Sequence, residues 1–330
     1  MSGAVWATVA GVGFGLFQSV NRQAVRGMDV WRSTFLQLAV SSVVLVAGTL
    51  ATEDLSELRA VTPLALAAFL GAGLVHFSVG WTLLNASQKR IGAARTSPLL
   101  AATPLFGTIL AAVTLGEIPG AVTVLGMALI LAGVYVTVAT GAPASSPPGS
   151  SPAGTTSPGS STAASPPASS RPGSSPAGSS TAATASLRGS LLGLGTAACW
   201  AISPLLIREG LQQVPSPGLG VTISMVAATI PHGVVVAMRR RRGLGEPPMW
   251  DALGLKLAAG VLVGLSTWTR WEALALTPVA VVLALGLLSV PTVILVAPTL
   301  AGRHEEPVTS RILLGATLVV VGSLVLVVRT

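Results

Sequence analysis

Charged residues are scarce in this chain, and their scarcity excludes a soluble globular protein. Asp, Glu, Lys and Arg make up 9% of the 330 residues, whereas a soluble domain usually carries about 25%. Hydrophobic residues make up 51% of the chain, and the mean hydropathy is +0.75. A soluble fold of this size could not cover its surface with so few charges. The composition therefore predicts an all-α integral membrane protein.

Cysteine is nearly absent as well, since Cys199 is the only one in the sequence. A disulfide within the chain and a zinc site built on several cysteines are therefore excluded. The sequence also lacks the G-x-S-x-G, H-E-x-x-H and P-loop motifs, and no pair of aspartates falls within an apolar run. We therefore expect no enzymatic activity, no metal and no cofactor.

The formal net charge of +8 would suggest a nucleic-acid partner if the chain were soluble. Here the arginines lie between apolar runs, where the positive-inside bias places them, so we expect no nucleic-acid partner. Basic residues concentrate after the first, third, seventh and ninth apolar runs. The positive-inside rule puts these loops in the cytoplasm and both termini outside.

Ten apolar runs are long enough to cross a bilayer, for which a helix needs roughly 20 residues. The predicted spans are 3–21, 33–51, 62–86, 93–115, 119–139, 189–208, 218–238, 252–276, 279–300 and 309–328. Between the fifth and sixth spans, residues 141–186 contain only Gly, Ala, Pro, Ser and Thr apart from Arg171. Such a segment cannot bury a core, so we predict a disordered linker that tethers the two halves.

The two halves match each other as repeats. At one offset of 187 residues, Trp81 of the third span meets Trp268 of the eighth, and Pro104 meets Pro291. Further matches follow with small drifts in the offset: Glu117 with Glu305, Gly126 with Gly315, and Gly133 with Gly322. Because each repeat has an odd number of spans, the second must cross the membrane in the opposite sense. We therefore predict two inverted five-helix repeats, 1–140 and 187–330, an architecture typical of secondary transporters.

Glycines and prolines stand at matched positions in these repeats. The glycines of the fifth and tenth spans are spaced by seven residues, so each pair shares a helix face and favours close helix packing. Pro104 and Pro291 each remove a backbone donor and kink a helix. These kinks are either static curvature or points at which a carrier gates.

Two segments carry a family resemblance. The stretch "NASQKRIGAARTSPLLAATPLFGTILAAVTLGE", followed by "VLGMALILAGVYV", resembles the EamA-like repeat of the drug/metabolite transporter superfamily. The second half resembles it through "EALALTPVAVV", Pro291, "GRHEEP" and "LLGATLVVVGSLVLV", although Arg303 and His304 replace the usual Leu-Gly. The resemblance implies a ten-helix carrier of small organic solutes, often an exporter of amino acids or other metabolites. It also implies cytoplasmic termini, opposite to the orientation that the charges predict.

Polar and aromatic residues recur inside the spans that the resemblance places around a central cavity. Residues four apart share a helix face, so the third and eighth spans each present a tryptophan with a polar side chain one turn on. The predicted substrate-binding residues are Gln18, Asn21, His76, Trp81, Asn85, Trp200, Trp268 and Glu272. The alternative is that the aromatic residues mark the membrane interface and that charged side chains snorkel there.

The stretch "WTRWEALALTP" predicts different roles for two charged residues. Glu272 shares a face with Trp268, the repeat partner of Trp81, so we expect it to line the cavity. Arg270 points to the nearly opposite face, so we expect it to snorkel to the headgroups or to meet a neighbouring helix. A histidine inside a span, such as His76, is a candidate proton relay because imidazole titrates near neutral pH.

The sequence thus predicts a secondary transporter that moves a small organic solute across the cell membrane by alternating access, with proton-coupled efflux as one mode. The alternative is a non-transporting membrane sensor or assembly protein that retains the carrier fold. The expected partners are a small-molecule substrate and the lipid bilayer, with a homodimer left open.

Overall fold

The computed structural model describes residues 2–115, 120–139, 177–244, 250–277, 279–302 and 306–327, and every regular element among them is helical. The α-helices are α1 (Gly3–Arg26), α2 (Val30–Thr52), α3 (Pro63–Ala72), α4 (Trp81–Ile91), α5 (Ala93–Leu100), α6 (Thr103–Leu115), α7 (Ala121–Ala139), α8 (Ala177–Gln213), α9 (Pro217–Arg241), α10 (Trp250–Leu276), α11 (Val279–Gly286), α12 (Ser289–Ala301) and α13 (Ser310–Val327). A 3-10 helix covers Leu55–Ala60, and a π-helical segment, Gly73–Gly80, joins α3 to α4. The predicted all-α class is confirmed for the described residues.

Eight stretches are long and apolar enough to cross a membrane. They are Gly3–Arg26, Val30–Thr52, Pro63–Ile91, Ala121–Ala139, Thr184–Gln213, Pro217–Arg241, Trp250–Leu276 and Val281–Ala301. The predicted span 93–115 is divided into α5 and α6, and the predicted span 309–328 holds a shorter apolar helix. The structure therefore supports a multi-pass membrane protein, with fewer uninterrupted spans than the ten predicted.

Breaks occur at matched places in the two halves. α5 gives way to α6 just before Pro104, and α11 gives way to α12 just before Pro291. Each proline then stands in the first turn of the new helix, where its missing N–H has no intrahelical partner to lose. The sequence predicted kinks at both prolines, and the structure interrupts both helices there.

α7 and α13 pack closely and run antiparallel. A Cβ added to Gly322 would lie 2.7 Å from the carbonyl oxygen of Gly126, and one added to Gly133 would lie 2.6 Å from that of Gly315. Only residues without a side chain allow the two backbones to come this close. The close packing predicted from these four glycines is confirmed.

α2 and α9 also cross antiparallel, through hydroxyl groups. Ser42 lies 2.8 Å from Thr229, and Thr49 lies 2.8 Å from Thr222. α1 packs along α10, while α8 packs along α3 and α4. In the predicted repeats, α1 corresponds to α8, and α3 with α4 corresponds to α10. The contact of α1 with α10 and the contacts of α8 with α3 and α4 are therefore equivalent contacts.

The bundle has two ends, which differ in charge. At the basic end, where α1 ends and α10 begins, Lys89 donates to the Met28 carbonyl oxygen at 2.7 Å and Arg239 pairs with Asp29 at 3.3 Å. At the opposite end, α1 begins beside the end of α10, because a Cβ on Gly3 would meet Thr277. The described basic residues that follow the first, third and seventh predicted spans thus lie at one end of the structure.

The outer surface of the bundle is apolar, as a lipid-facing surface must be. Large side chains such as Leu50, Leu205, Leu295 and Val113 are more than half exposed. The interior is rich in aromatic rings, since Phe17, Phe69, Phe77 and Trp81 are almost fully buried.

Parts of the sequence-based prediction lie outside the described residues. The linker 141–186 does so except at its end, 177–186, where α8 has already begun. Glu117, Glu305, Arg303 and His304 also lie outside them.

Candidate functional site

A cavity with aromatic walls lies between the two halves of the bundle, bordered by α1, the π-helical segment, α4, α8, α10 and α11. We call it the aromatic cavity after Phe14, His76, Trp81, Trp200 and Trp271 in its lining. Its volume is about 40 Å³, a few times the roughly 10–15 Å³ that one water molecule needs. A metabolite would therefore enter only if the surrounding helices moved apart.

His76 is held in place by contacts to α8. Its ring stacks on Trp200, with centroids 5.2 Å apart and an angle of 14° between the planes. Its Nδ1 lies 2.7 Å from Ser203 Oγ, and Trp200 Nε1 donates to the His76 carbonyl oxygen at 3.3 Å. That carbonyl belongs to the π-helical segment, a backbone form that often marks functional sites. Nε2 of His76 has no hydrogen bond to a described residue, so it remains available to a solute or a proton.

Trp81 supplies a second hydrogen-bond donor in the cavity wall. Its side chain is almost fully buried against Phe17 and Phe77, at centroid distances of 6.3 and 5.1 Å. Its Nε1 is buried and has no acceptor among the described residues. Because an unpaired buried donor costs free energy, this N–H favours a ligand that brings an acceptor. Of the predicted site residues, the structure brings His76, Trp81 and Trp200 together here.

Arg270 also lines the aromatic cavity, next to Trp271. Its guanidinium makes no hydrogen bond or ion pair with any described residue, and the described lining residues include no Asp or Glu. Arg270 was expected to snorkel to the headgroups or to meet a neighbouring helix, and the structure places it at a cavity between helices. The cavity therefore contains a cation whose five donors are not paired with any residue that the structure describes.

Glu272 lies on another face of α10, away from the lining of the aromatic cavity. It accepts a hydrogen bond from Trp268 Nε1 at 3.0 Å, and Trp268 packs against Trp6 of α1 at 6.4 Å. The structure thus reverses the predicted faces of α10, because it turns Arg270 rather than Glu272 inward. Residues two apart differ by about 200° around a helix, so the sequence separates their faces but cannot say which one meets the other helices.

A second polar group, the amide–lysine cluster, lies between the aromatic cavity and the basic end. Its members all have 0% exposure: Gln18, Asn21, Thr34, Gln37, Asn85, Gln88 and Lys256. Lys256 Nζ donates to Asn21 Oδ1 and, at 2.8 Å, to Gln37 Oε1. Asn21 Nδ2 donates to Asn85 Oδ1 at 2.8 Å and to Gln88 Oε1 at 2.7 Å. The cluster therefore ties α1, α2, α4 and α10 together.

The cluster gathers three of the predicted site residues, Gln18, Asn21 and Asn85, but not in the aromatic cavity. Sequence reasoning missed Lys256, although the signal was present: a lysine close to the start of an apolar run is costly and often functional. Its partners come from α1 and α2, which are distant in sequence. No local pattern could have identified them.

An ion pair closes the basic end beyond the cluster. Arg22 Nε lies 2.7 Å from Glu306 Oε1, and the two side chains are 11% and 2% exposed. Arg22 Nη1 also donates to the Gln88 carbonyl oxygen at 2.5 Å. The Glu306 carboxylate accepts the backbone N–H groups of Ala93 and Ala94, at 3.2 and 3.0 Å. Glu306 thus caps the N-terminus of α5, where the helix dipole favours an anion.

Gly92 makes this cap possible. Its φ is +85° and its ψ 166°, a conformation essentially restricted to glycine. A Cβ at this position would lie 2.6 Å from the Glu306 carboxylate. The sequence analysis considered Glu305 and missed Glu306, since only the fold brings that carboxylate to Gly92.

Known proteins resemble both the sequence and the fold. The sequence model of the EamA-like transporter family matches residues 1–139. No curated protein matches the chain. Fourteen chains of solved structures do. One, described as "Crystal structure of protein", has a TM-score of 0.57 and 18% identity over 97% of this chain and 95% of its own. This likeness concerns the fold alone.

The family match covers the first half of the chain and confirms the resemblance drawn from its motifs. Members of the family are transporters and not enzymes, which is consistent with the lack of catalytic motifs. Residues 1–139 thus match the EamA-like transporter family, and the eight long apolar helices indicate a multi-pass membrane protein.

Proposed function

We propose that this protein is a secondary transporter that moves a small organic solute across the cell membrane by alternating access, with the aromatic cavity as its solute site. The observation that carries the proposal is the order of residues along the helices. On α1, Phe14 of the cavity is followed by Gln18 of the cluster, and on α4, Trp81 is followed by Asn85. The solute site is therefore sealed toward the basic end by a hydrogen-bonded layer.

Two inverted repeats would give such a cavity two equivalent exits. We count ten spans by treating α5–α6 and α11–α12 as broken helices and including α13. The antiparallel contacts of α2 with α9 and of α7 with α13 support this arrangement, since equivalent helices of inverted repeats run in opposite directions. Exchange of the two repeat conformations would open the basic end and close the opposite end.

The amide–lysine cluster and the ion pair beyond it form a seal at the basic end. This seal is strong enough to close a pathway between the helices and weak enough to open. It consists mainly of neutral amide hydrogen bonds, each contributing about 0.5–1.5 kcal/mol net. Water entering the opened end could replace each of these partners. Its ion pair, Arg22 with Glu306, is the strongest single contact to break.

Uptake by proteoliposomes tests the proposal. A panel of carboxylic acids, amino acids, amines, nucleosides and sugars is offered to vesicles with purified protein, and we expect saturable flux of at least one class. Trp200→Ala should abolish the flux because it removes a cavity wall, whereas Trp250→Ala should not, because that tryptophan is 84% exposed. Flux equal to protein-free vesicles for every class would contradict transport and favour a sensor or assembly role.

Proton coupling is a further part of the proposal, and His76 is the residue we assign to it. Its Nδ1 faces Ser203, so Nε2 can take up and release the proton as the cavity changes exposure. We expect a pH gradient to drive flux in the wild type, and His76→Gln to retain counterflow of the solute while losing that drive. Equal gradient-driven flux in both proteins would remove His76 from this role.

A further inference from the structure

The charge in the aromatic cavity points to the chemistry of the solute. Arg270 brings a positive charge to a wall made otherwise of aromatic, aliphatic, small and hydroxyl-bearing side chains. A guanidinium withdrawn from water costs free energy unless an anion or several acceptors compensate it. Neither is supplied to Arg270 by the described residues. A bound anion would supply the compensation that the described residues lack.

A second polar group at the wall, the Trp81 indole, favours the same kind of ligand. Trp81 Nε1 is a buried donor without an acceptor among the described residues, and an indole N–H can only donate. Ser203 contacts Nδ1 of His76 and Trp200 stacks on its ring, so Nε2 remains open to a ligand. Acidic side chains are lacking among the described residues of the lining. The cavity therefore matches a group that accepts hydrogen bonds and carries negative charge.

We propose that the solute is a small organic carboxylate, whose carboxylate pairs with Arg270 and whose apolar body lies among Trp81, Trp200 and Trp271. This inference rests on the proposed function only in taking the aromatic cavity as the solute site. The guanidinium fork matches the two oxygens of a carboxylate. The aromatic walls supply the apolar surface that a small ring or branched chain would bury.

A carboxylate fits this site better than a phosphate or an amino acid. A doubly charged phosphate calls for a second cation, and Lys256, the other cation on the cavity helix α10, already donates to Asn21 and Gln37. The ammonium group of an amino acid would find no acidic partner among the described residues of the lining and would be repelled by Arg270. An acid without an amino group should therefore bind more tightly than the corresponding amino acid.

Binding of matched aromatic probes to the purified protein tests the proposal. Benzoate, benzamide and benzylamine differ little in size but carry a negative, a neutral and a positive head group. We expect benzoate to bind, benzamide to bind at least about tenfold more weakly, as loss of a charge-assisted hydrogen bond predicts, and benzylamine not to bind. Affinity is read by calorimetry and by the rise in melting temperature with ligand.

Substitutions assign the effect to Arg270. Arg270→Gln should weaken benzoate binding roughly 10–100-fold, while Arg270→Lys should retain more affinity because it keeps the charge but loses the fork. Arg208→Gln, which removes an exposed charge from α8, should leave binding unchanged. Variants are compared only after each shows a single cooperative melting transition.

Three results would overturn the carboxylate assignment. They are equal affinity for benzamide and benzoate, undiminished benzoate binding in Arg270→Gln, and tighter binding of phenylphosphonate than of benzoate. Failure of benzoate, butyrate and hexanoate all to bind would overturn it as well. Because these measurements need no membrane potential or flux, they are independent of transport. Arg270-dependent binding without any flux would uphold the carboxylate site and contradict the proposed function.

Discussion

Two cations on the same helix, Lys256 and Arg270, have opposite surroundings. They are about 21 Å apart along α10, taking about 1.5 Å per residue. Lys256 is fully buried and donates to side-chain oxygens of α1 and α2. Arg270 lies at the aromatic cavity without a hydrogen-bonding partner among the described residues. A cation whose acceptors come from the chain holds helices together, whereas a cation without them is left for a ligand.

The same difference separates the two regions as a whole. In the amide–lysine cluster, side chains of four helices bond to one another and the buried cation has acceptors, although Gln18 Nε2 and Gln37 Nε2 have no partner among the described residues. In the aromatic cavity, the donors of Arg270 and Trp81 have no acceptor among the described residues. We infer that the amide–lysine cluster closes the pathway at the basic end and that the aromatic cavity is the solute site. Both regions contain polar residues and share the helices α1, α4 and α10.

The largest expected effect comes from replacing each cation by methionine, which has a similar length and no charge. Lys256→Met leaves Asn21 Oδ1 without its donor and Gln37 Oε1 with only Asn85 Nδ2 at 3.3 Å, and we expect a loss of roughly 2–4 kcal/mol and a melting temperature several degrees lower. Arg270→Met removes a cavity-lining charge that has no partner among the described residues, so we expect an unchanged or higher melting temperature. Thermal unfolding in one detergent compares the two. A larger drop in melting temperature for Arg270→Met than for Lys256→Met would contradict this difference between the two cations.

A smaller effect is expected at the cap of α5. Gly92→Ala should cost about 1–3 kcal/mol from backbone strain, and the new Cβ would also displace the Glu306 carboxylate. Gly243→Ala is the control, because its φ is +67° and a Cβ there would meet nothing within 4 Å. We therefore expect Gly92→Ala to lower the melting temperature more. Equal shifts would mean that Glu306 adds nothing to the closure of the basic end.

The smallest effect is expected at Glu272. In Glu272→Gln, the amide oxygen can still accept from Trp268 Nε1, so we expect benzoate affinity to change by less than about fivefold. Glu272→Leu removes that acceptor and should lower the melting temperature instead. A large loss of benzoate affinity in Glu272→Gln, with normal unfolding, would restore the cavity role that the sequence predicted for this residue.

Sequence patterns predicted those parts of the fold that depend on local order. Apolar runs predicted the all-helical class, and the seven-residue spacing of glycines predicted the contact of α7 with α13. Pro104 and Pro291 predicted where two helices are interrupted. In each case the relevant property belongs to one segment of the chain: an apolar run, a glycine spacing or a proline that lacks a backbone donor.

The candidate site was predicted only in part, because its geometry depends on tertiary contacts. His76, Trp81 and Trp200 lie together in the lining of the aromatic cavity. The inward face of α10 was assigned wrongly, because it is set by packing of Trp268 on Trp6 and of Trp271 on Phe69. The partners of Lys256 and Glu306 lie on distant segments, so no spacing rule could identify them.

The central claim is that the two ends of the bundle open alternately, and paired spin-label distances test it most directly. Labels replace exposed residues in a Cys199→Ala background: Arg90 with Asp251 at the basic end, and Leu64 with Leu276 at the opposite end. The two pairs occupy equivalent places in the proposed repeats. They are measured in lipid nanodiscs with and without benzoate.

We expect each pair to show two distance populations, and benzoate to shift the populations at the two ends in opposite directions. Such reciprocity would mean that closing one end opens the other around a fixed site. Distances that remain single at both ends under all conditions, or that lengthen together, would contradict alternating access.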